Sequence, residues 1–183
     1  MPAAKHKDDL TPPPANAWEL APAFELLRHE RFGEALDHVC SGPPHALSDP
    51  DVLLVKAVLL TQGGDLAQAE AACRRLLAID ELNAGAHYVL ALCSEHGGER
   101  APAMKHDRVA AHLDPAFAMP RLHCGMLARA AGDRAGARRE LAQAILLLKR
   151  EDVSRLILFG GGFTRDALIA LCQAAAVECG GRP

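Results

Sequence analysis

The chain has 183 residues, of which 50% are apolar, 4% aromatic and 23% charged, with a formal net charge of -3 at pH 7. Its basic residues are scattered among acidic ones, which excludes the basic stripe of a nucleic-acid-binding protein, and no apolar run reaches the roughly 20 residues of a membrane span. The N-terminus lacks a charged and then apolar signal pattern, so we expect a cytoplasmic protein without membrane insertion.

Residues 1–15 show no helical periodicity and contain the run Pro12, Pro13, Pro14. This composition is typical of disordered or polyproline linkers. We therefore predict a disordered Pro-rich linker over 1–15. A leader of this kind also suggests that the chain is a fragment of a longer protein.

From Asn16 onwards the sequence repeats with a period of 34 residues, and Gly64, Gly98 and Gly132 stand at that interval. Small residues share the period in two columns: Ala35, Ala69, Ala103 and Ala137, and Ala23, Ala57, Ala91 and Gly125. This is the length of one tetratricopeptide repeat (TPR) unit, a pair of antiparallel helices that must stack to bury its apolar face. We predict an all-α TPR solenoid of four helix pairs, over 16–49, 50–83, 84–117 and 118–151, plus a C-terminal helix.

Local signals place the helices within the units. Asp49 before Pro50, and Asp65 with Gln68 three residues later, are typical helix starts. In the third unit Asp107 occupies the column of Cys73, so we expect its second helix to be the weakest. The predicted pairs are 17–29 and 32–40, 50–62 and 65–79, 84–96 and 99–112, and 117–131 and 134–149.

Residues 152–183 depart from the repeat. Val153 to Phe159 is an apolar run that ends at Gly160, Gly161 and Gly162, which we interpret as a hinge. Thr164 then begins a helix with one apolar stripe, formed by Leu168, Leu171, Cys172 and Ala175. Because a terminal repeat leaves an apolar face bare, we predict a capping helix. The alternative is a helix that folds into the groove of the array.

The chain carries no convincing catalytic motif. Gly160 to Thr164 lacks the Lys-Ser/Thr pair and the strand of a phosphate loop. Among the clustered histidines and cysteines only Cys93 and His96 have helical ligand spacing, which does not support a metal site. The six cysteines could form disulfides, but Cys73, Cys93 and Cys124 fall at core positions of the helices, so we predict reduced, buried thiols. We predict no catalytic, cofactor-binding or metal-ligating residues.

The inner face of a TPR array is lined by the first helix of each unit, and here it is apolar with a polar edge. It lacks the Lys, Arg and Asn residues that would clamp a C-terminal carboxylate, and it suits an amphipathic helix or an apolar peptide. Ordinary packing between units is the alternative. The predicted partner-binding residues are Phe24, Leu54, Val58, Tyr88, Leu92, Glu95, Leu122, Met126 and Arg129.

Four phrases carry a more specific resemblance: LLVKAVLL from Leu53, AEAACRRLLAIDELNAGAHYVLALCSEHGG from Ala69, LDPAFAMPRLHCGMLARAAGDRAGARREL from Leu113, and KREDVSRLILFGGGFTRDALIALC from Lys149. Together they resemble the C-terminal TPR region of bacterial chemoreceptor methyltransferases of the CheR type. The generic repeat does not require these phrases, so the resemblance is specific.

The resemblance implies that the parent enzyme transfers a methyl group from S-adenosylmethionine to glutamates of chemoreceptors. The catalytic and cofactor residues of that family lie in an N-terminal domain, so none is assigned to this chain. We expect a regulatory module that binds a chemoreceptor or the parent methyltransferase domain. The alternative is a generic TPR scaffold or chaperone adaptor.

Overall fold

A computed structural model describes residues 18–180, and the predicted linker over 1–15 lies outside this range. The described chain is all-α, as predicted. Its helices are α1 Ala21–Arg28, α2 Phe32–Cys40, a short 3₁₀ helix Ala46–Ser48, α3 Pro50–Gln62, α4 Leu66–Ile79, α5 Ala84–His96, α6 Arg100–Leu113, α7 Ala118–Ala130, α8 Arg134–Leu148, α9 Val153–Phe159 and α10 Arg165–Glu178.

Side-chain caps fix several helix starts. The Asp49 carboxylate accepts hydrogen bonds from the N–H groups of Asp51 and Val52, and Asp65 accepts one from the N–H of Gln68. These caps satisfy N–H groups that have no partner inside the helix. The helix boundaries of the second unit therefore follow from residues visible in the sequence.

The turn inside each unit needs a left-handed backbone residue. Gly64, Gly98 and Gly132 have φ of +79°, +78° and +80°, a region that glycine enters without strain. In the first unit Glu30 takes this place with φ of +56°. The one exception in the glycine column thus keeps the backbone conformation and changes only the side chain.

The small-residue columns lie where helices cross most closely. Ala69 and Ala103 are fully buried. A Cβ at Gly125 would lie 2.7 Å from the Leu141 Cγ, so α7 and α8 approach too closely for a larger residue. The pairs α1 with α2, α3 with α4, α5 with α6 and α7 with α8 stack in chain order.

Three local predictions need correction. α1 begins at Ala21 and not at residue 17, which lies outside the described range. The apolar run Val153–Phe159 is a helix, α9, that packs on α1 and α3. Cys40 is exposed, whereas the other five cysteines are buried.

The last helix, α10, packs on α8 and α7. It buries Leu168, Cys172 and Ala175, but Leu171 is 40% exposed and does not belong to the buried stripe. Leu171 faces a cavity on the concave side of the array instead. Residues 152–163, which form most of the segment between α8 and α10, cross that concave side and are called the strap below.

Candidate protein-binding site

The concave surface is built by the first helices of the units, α1, α3, α5 and α7. Of the nine predicted residues, Tyr88, Val58 and Leu122 are buried, at 4%, 4% and 7% exposure. The half-buried members are Phe24, Leu54, Leu92 and Met126. The predicted apolar floor is therefore already covered over much of its area.

A cluster of three aromatic rings covers part of the predicted apolar floor. The Phe159 ring of the strap lies edge-on to Tyr88, with 5.7 Å between ring centroids, and 4.9 Å from the ring of Phe117. Tyr88 and Phe117 also meet edge to face at 5.3 Å. Such tilted contacts suit the charge distribution of aromatic rings. The strap thus places an aromatic anchor on the predicted groove.

Polar contacts hold the start of the strap. Arg155 pairs with Asp114 at 2.8 Å and Glu151 at 3.3 Å, and its guanidinium stacks 4.3 Å above the Phe117 ring. The buried Glu151 carboxylate also accepts a hydrogen bond of 2.7 Å from the Ala118 N–H at the start of α7. A carboxylate is stabilised at a helix N-terminus. The strap is therefore fixed in position by both apolar and polar contacts.

The far end of the strap reaches the first unit. A Cβ at Gly162 would lie 3.1 Å from the Glu30 Cδ, and a Cβ at Gly161 would lie 3.6 Å from the Gln62 Nε2. Both glycines have positive φ, +60° at Gly161 and +85° at Gly162. The glycine turn predicted as a hinge therefore lets the chain reverse over the ends of α1 and α3.

Part of the concave side stays open beside the strap. A cavity of about 370 Å³ lies between α5, α7 and the start of α10. Phe163 and Leu171 on its wall are 62% and 40% exposed. Leu92 and Leu122 of the predicted set also line it. Exposed apolar side chains around a concave opening are typical of a site that receives apolar side chains of a partner.

A polar junction lies behind this surface, formed by the buried Asp107 and His123 and the exposed Glu95. His123 Nδ1 lies 2.7 Å from the fully buried Asp107 Oδ2, in a geometry that falls short of a regular hydrogen bond, so electrostatic attraction carries the contact. His123 Nε2 lies 2.9 Å from the Glu95 carboxylate. Together Glu95, His123 and Asp107 connect α5, α6 and α7.

The pKa values of Asp107 and His123 follow from burial and pairing. Burial raises the pKa of Asp107, although His123 opposes the shift. Burial lowers the pKa of His123, but Asp107 and Glu95 outweigh burial and leave it raised. Pairing with the two carboxylates therefore favours the protonated, cationic form of His123, whose charge compensates the buried Asp107 carboxylate. The sequence does not predict this pair, because the repeat columns align Asp107 with Cys73 of the second unit and not with His123 on the next helix.

The predicted polar edge residue Arg129 forms an ion pair with Glu178 of α10. Both side chains are at least a third exposed, at 37% and 64%, so the pair contributes little to stability. It joins the edge of the concave surface to the last helix.

Other groups weighed from the sequence do not assemble into a reactive site. Within residues 18–180, no three or more His, Cys, Asp or Glu side chains converge as metal ligands. The thiols of Cys73 and Cys124 have pKa values raised by burial to about 12, so they are poor nucleophiles at neutral pH. None of the helices described for residues 18–180 has the length and apolar character of a membrane span.

Solved structures show the same fold. The chain aligns with the thermophilic TPR protein TTC0263 of Thermus thermophilus with a TM-score of 0.62 and 22% identity, over 87% of this chain and 88% of that one. It aligns with MamA of Desulfovibrio magneticus RS-1 with a TM-score of 0.56 and 16% identity, over 87% and 89%. At these identities the likeness concerns the fold alone.

No protein-family model matches the chain. It is 30% identical over 138 residues to the probable biofilm formation methyltransferase WspC of Pseudomonas putida, and 36% identical over 99 residues to the protein of that name in Pseudomonas aeruginosa. The alignments cover 75% and 54% of this chain but only 32% and 23% of the relatives. This chain has a TPR-like fold and is homologous to part of a probable biofilm formation methyltransferase.

The resemblance of the TPR region to a CheR-type methyltransferase is thereby confirmed. The alignment with the Pseudomonas putida protein extends over three quarters of the chain, well beyond a single repeat unit. Since the TPR region spans about a third of that protein's length, the activity of the whole relative does not transfer to this chain by similarity.

Proposed function

We propose that this chain is the regulatory protein-binding domain of a chemotaxis-type methyltransferase that uses S-adenosylmethionine and methylates glutamate side chains. In this proposal the domain controls how the enzyme engages chemoreceptors in the cytoplasm, and takes no catalytic step itself. The observation that carries the proposal is the apolar concave surface, with its open cavity, on a chain homologous to part of a methyltransferase.

The shape and chemistry of the surface favour a helical partner. The cavity beside the strap is lined by Leu92, Leu122 and Leu171, and Phe163 stands exposed at its wall. An amphipathic helix inserts apolar side chains into such an opening. The polar residues at the edge, Glu95 and Arg129, are already engaged with His123 and Glu178, and so do not form a clamp for a free carboxylate.

The test is a binding titration of the purified chain against receptor cytoplasmic fragments and, separately, chaperone C-terminal peptides. We expect saturable binding to receptor fragments. Leu171→Ala should lower the affinity about fivefold or more, since truncated apolar anchors often cost over about 1 kcal/mol of binding. Leu146→Ala, a matched truncation of a 57% exposed leucine on α8, should leave it unchanged.

Binding to chaperone peptides alone would support the generic adaptor instead. Equal loss of affinity in the two leucine variants would show that the cavity is not the site.

A further inference from the structure

The strap belongs to the connection between α8 and α10, two helices that are in direct contact. α8 and α10 pack directly against each other. Arg165 at the start of α10 donates hydrogen bonds to the carbonyls of Lys149, at 3.2 Å, and Glu151, at 2.6 Å. The two ends of the strap are therefore joined at its base, as in an Ω-loop, a type of loop that often has a function.

The repeat array is continuous without the strap. From α3 to α8 each helix packs against the next, and α10 packs against α8. The α9 helix of the strap packs mainly on α1 and α3. The strap can therefore leave the concave surface without separating any neighbouring pair of helices between α3 and α8.

The strap packs on the groove through one apolar side, in the way that a short amphipathic peptide ligand binds. Leu156, Leu158 and Phe159 point inward, at 7%, 8% and 8% exposure, whereas Val153 is 58% exposed. α9 has only seven residues, fewer than the roughly 12 to 15 that an isolated helix needs to persist in water. Its helical form therefore depends on the surface it covers.

We propose that the strap is a displaceable intrachain ligand of the concave groove, and that a partner helix with leucine and phenylalanine anchors binds after the strap has left. The inference rests on the proposed function, because it assigns regulation to the same surface. The strap and the partner compete for the groove beside Tyr88 and Leu122, so the affinity for the partner is reduced by the fraction of molecules in which the strap is docked.

The experiment uses a fluorescent peptide of residues 152–163 and the full chain. The released variant carries Leu156→Ser and Phe159→Ser, and the control carries Val153→Ser on the exposed side of the same helix. Fluorescence anisotropy should show the peptide bound to the released variant at least about tenfold more tightly than to the wild type or the control. Circular dichroism should show unchanged helical content outside the strap.

Two results would overturn the proposal. One is a folded double variant that binds the peptide no better than the wild type. The other is loss of the helical array in the double variant, because it would show that the strap is part of the folded core.

A receptor fragment then separates this inference from the proposed function. A fragment that binds the released variant at least about tenfold more tightly than the wild type supports both. Equal affinity of the fragment for the released variant and the wild type would contradict competition between strap and partner, but would not contradict the proposed function. If the released variant binds the strap peptide but no receptor fragment, the proposed function is wrong, whereas the strap is still an intrachain ligand of the groove.

Discussion

The repeat scaffold and the strap share one groove but are stabilised differently. In the second, third and fourth units of the scaffold, helices of 13 to 15 residues cross at small residues such as Ala69 and Ala103, which are fully buried. The strap holds a helix of seven residues and ends in a turn with two glycines at positive φ. The scaffold is therefore specified by its own repeat, whereas the order of the strap depends on the scaffold beneath it.

The sharpest way to test this contrast is to truncate one ring on each side of the same aromatic cluster. Phe117, at the start of α7, is 1% exposed, and Phe159 of the strap is 8% exposed. Phe117→Ala should cost about 3 to 5 kcal/mol of unfolding free energy. Phe159→Ala should cost less, because the variant can lose at most the free energy with which the strap docks. Urea unfolding measures both, and equal losses would break the distinction.

A second prediction concerns the polar junction inside the scaffold. Asp107→Ala removes the carboxylate that compensates the buried His123. Breaking a buried charge pair in this way should cost about 3 to 5 kcal/mol. Cys73→Ala, at the matching position of the second unit, is the control and should cost clearly less. Thermal melts compare the two, and a mild effect of Asp107→Ala would show that the pair contributes little.

A third prediction concerns the small residues at the helix crossings, where a larger side chain should cost less stability than the two changes above. Ala69→Leu should overpack the α3–α4 pair and cost about 1 to 3 kcal/mol. Arg74→Ala on the same helix removes a 68% exposed side chain and should change stability by less than about 0.5 kcal/mol. Thermal melts with coincident midpoints for the two variants would mean that the 34-residue register is wrong.

The smallest expected effect is a dependence of scaffold stability on pH. The folded-state pKa of His123 lies above 6.5, so its contribution is complete below that value and is lost as the pH rises through the folded pKa. Burial raises the pKa of Asp107 to about 6, so its ionisation also lowers stability as the pH rises, but mainly below about pH 6.

Urea unfolding at about pH 6 and about pH 8.5 checks this dependence. The wild type should lose stability towards the higher pH, and His123→Gln should lose less than the wild type does. His87 and His106, whose pKa values are lowered by burial, remain in both proteins as common background. An identical pH profile for the two proteins would contradict the assignment.

The scaffold could be predicted from the sequence because its signals are local and repeated. The glycine column marks the turns, and Asp49 and Asp65 mark helix starts, each within a few residues of the feature they control. The same column includes Glu30, which lies one repeat before Gly64 and is the one position of the column without glycine. Periodicity and capping thus sufficed for the all-α repeat fold.

The strap and the polar junction could not be predicted in the same way. Seven residues are too few for apolar periodicity to distinguish a helix from a simple apolar run, so the sequence does not predict α9. Asp107 finds its partner 16 residues later on the next helix, a contact that alignment of repeat columns does not show. Both features depend on three-dimensional proximity between different units.

Native-state hydrogen exchange of the unmodified chain tests the central claim most directly, namely that the strap is a separate layer on a scaffold that folds without it. Amides of residues 156–160 should exchange through local opening, with lower protection than amides in α3, α5 and α7 and little dependence on low denaturant. Exchange of the strap amides only through global unfolding, with the same protection as the scaffold, would contradict the account.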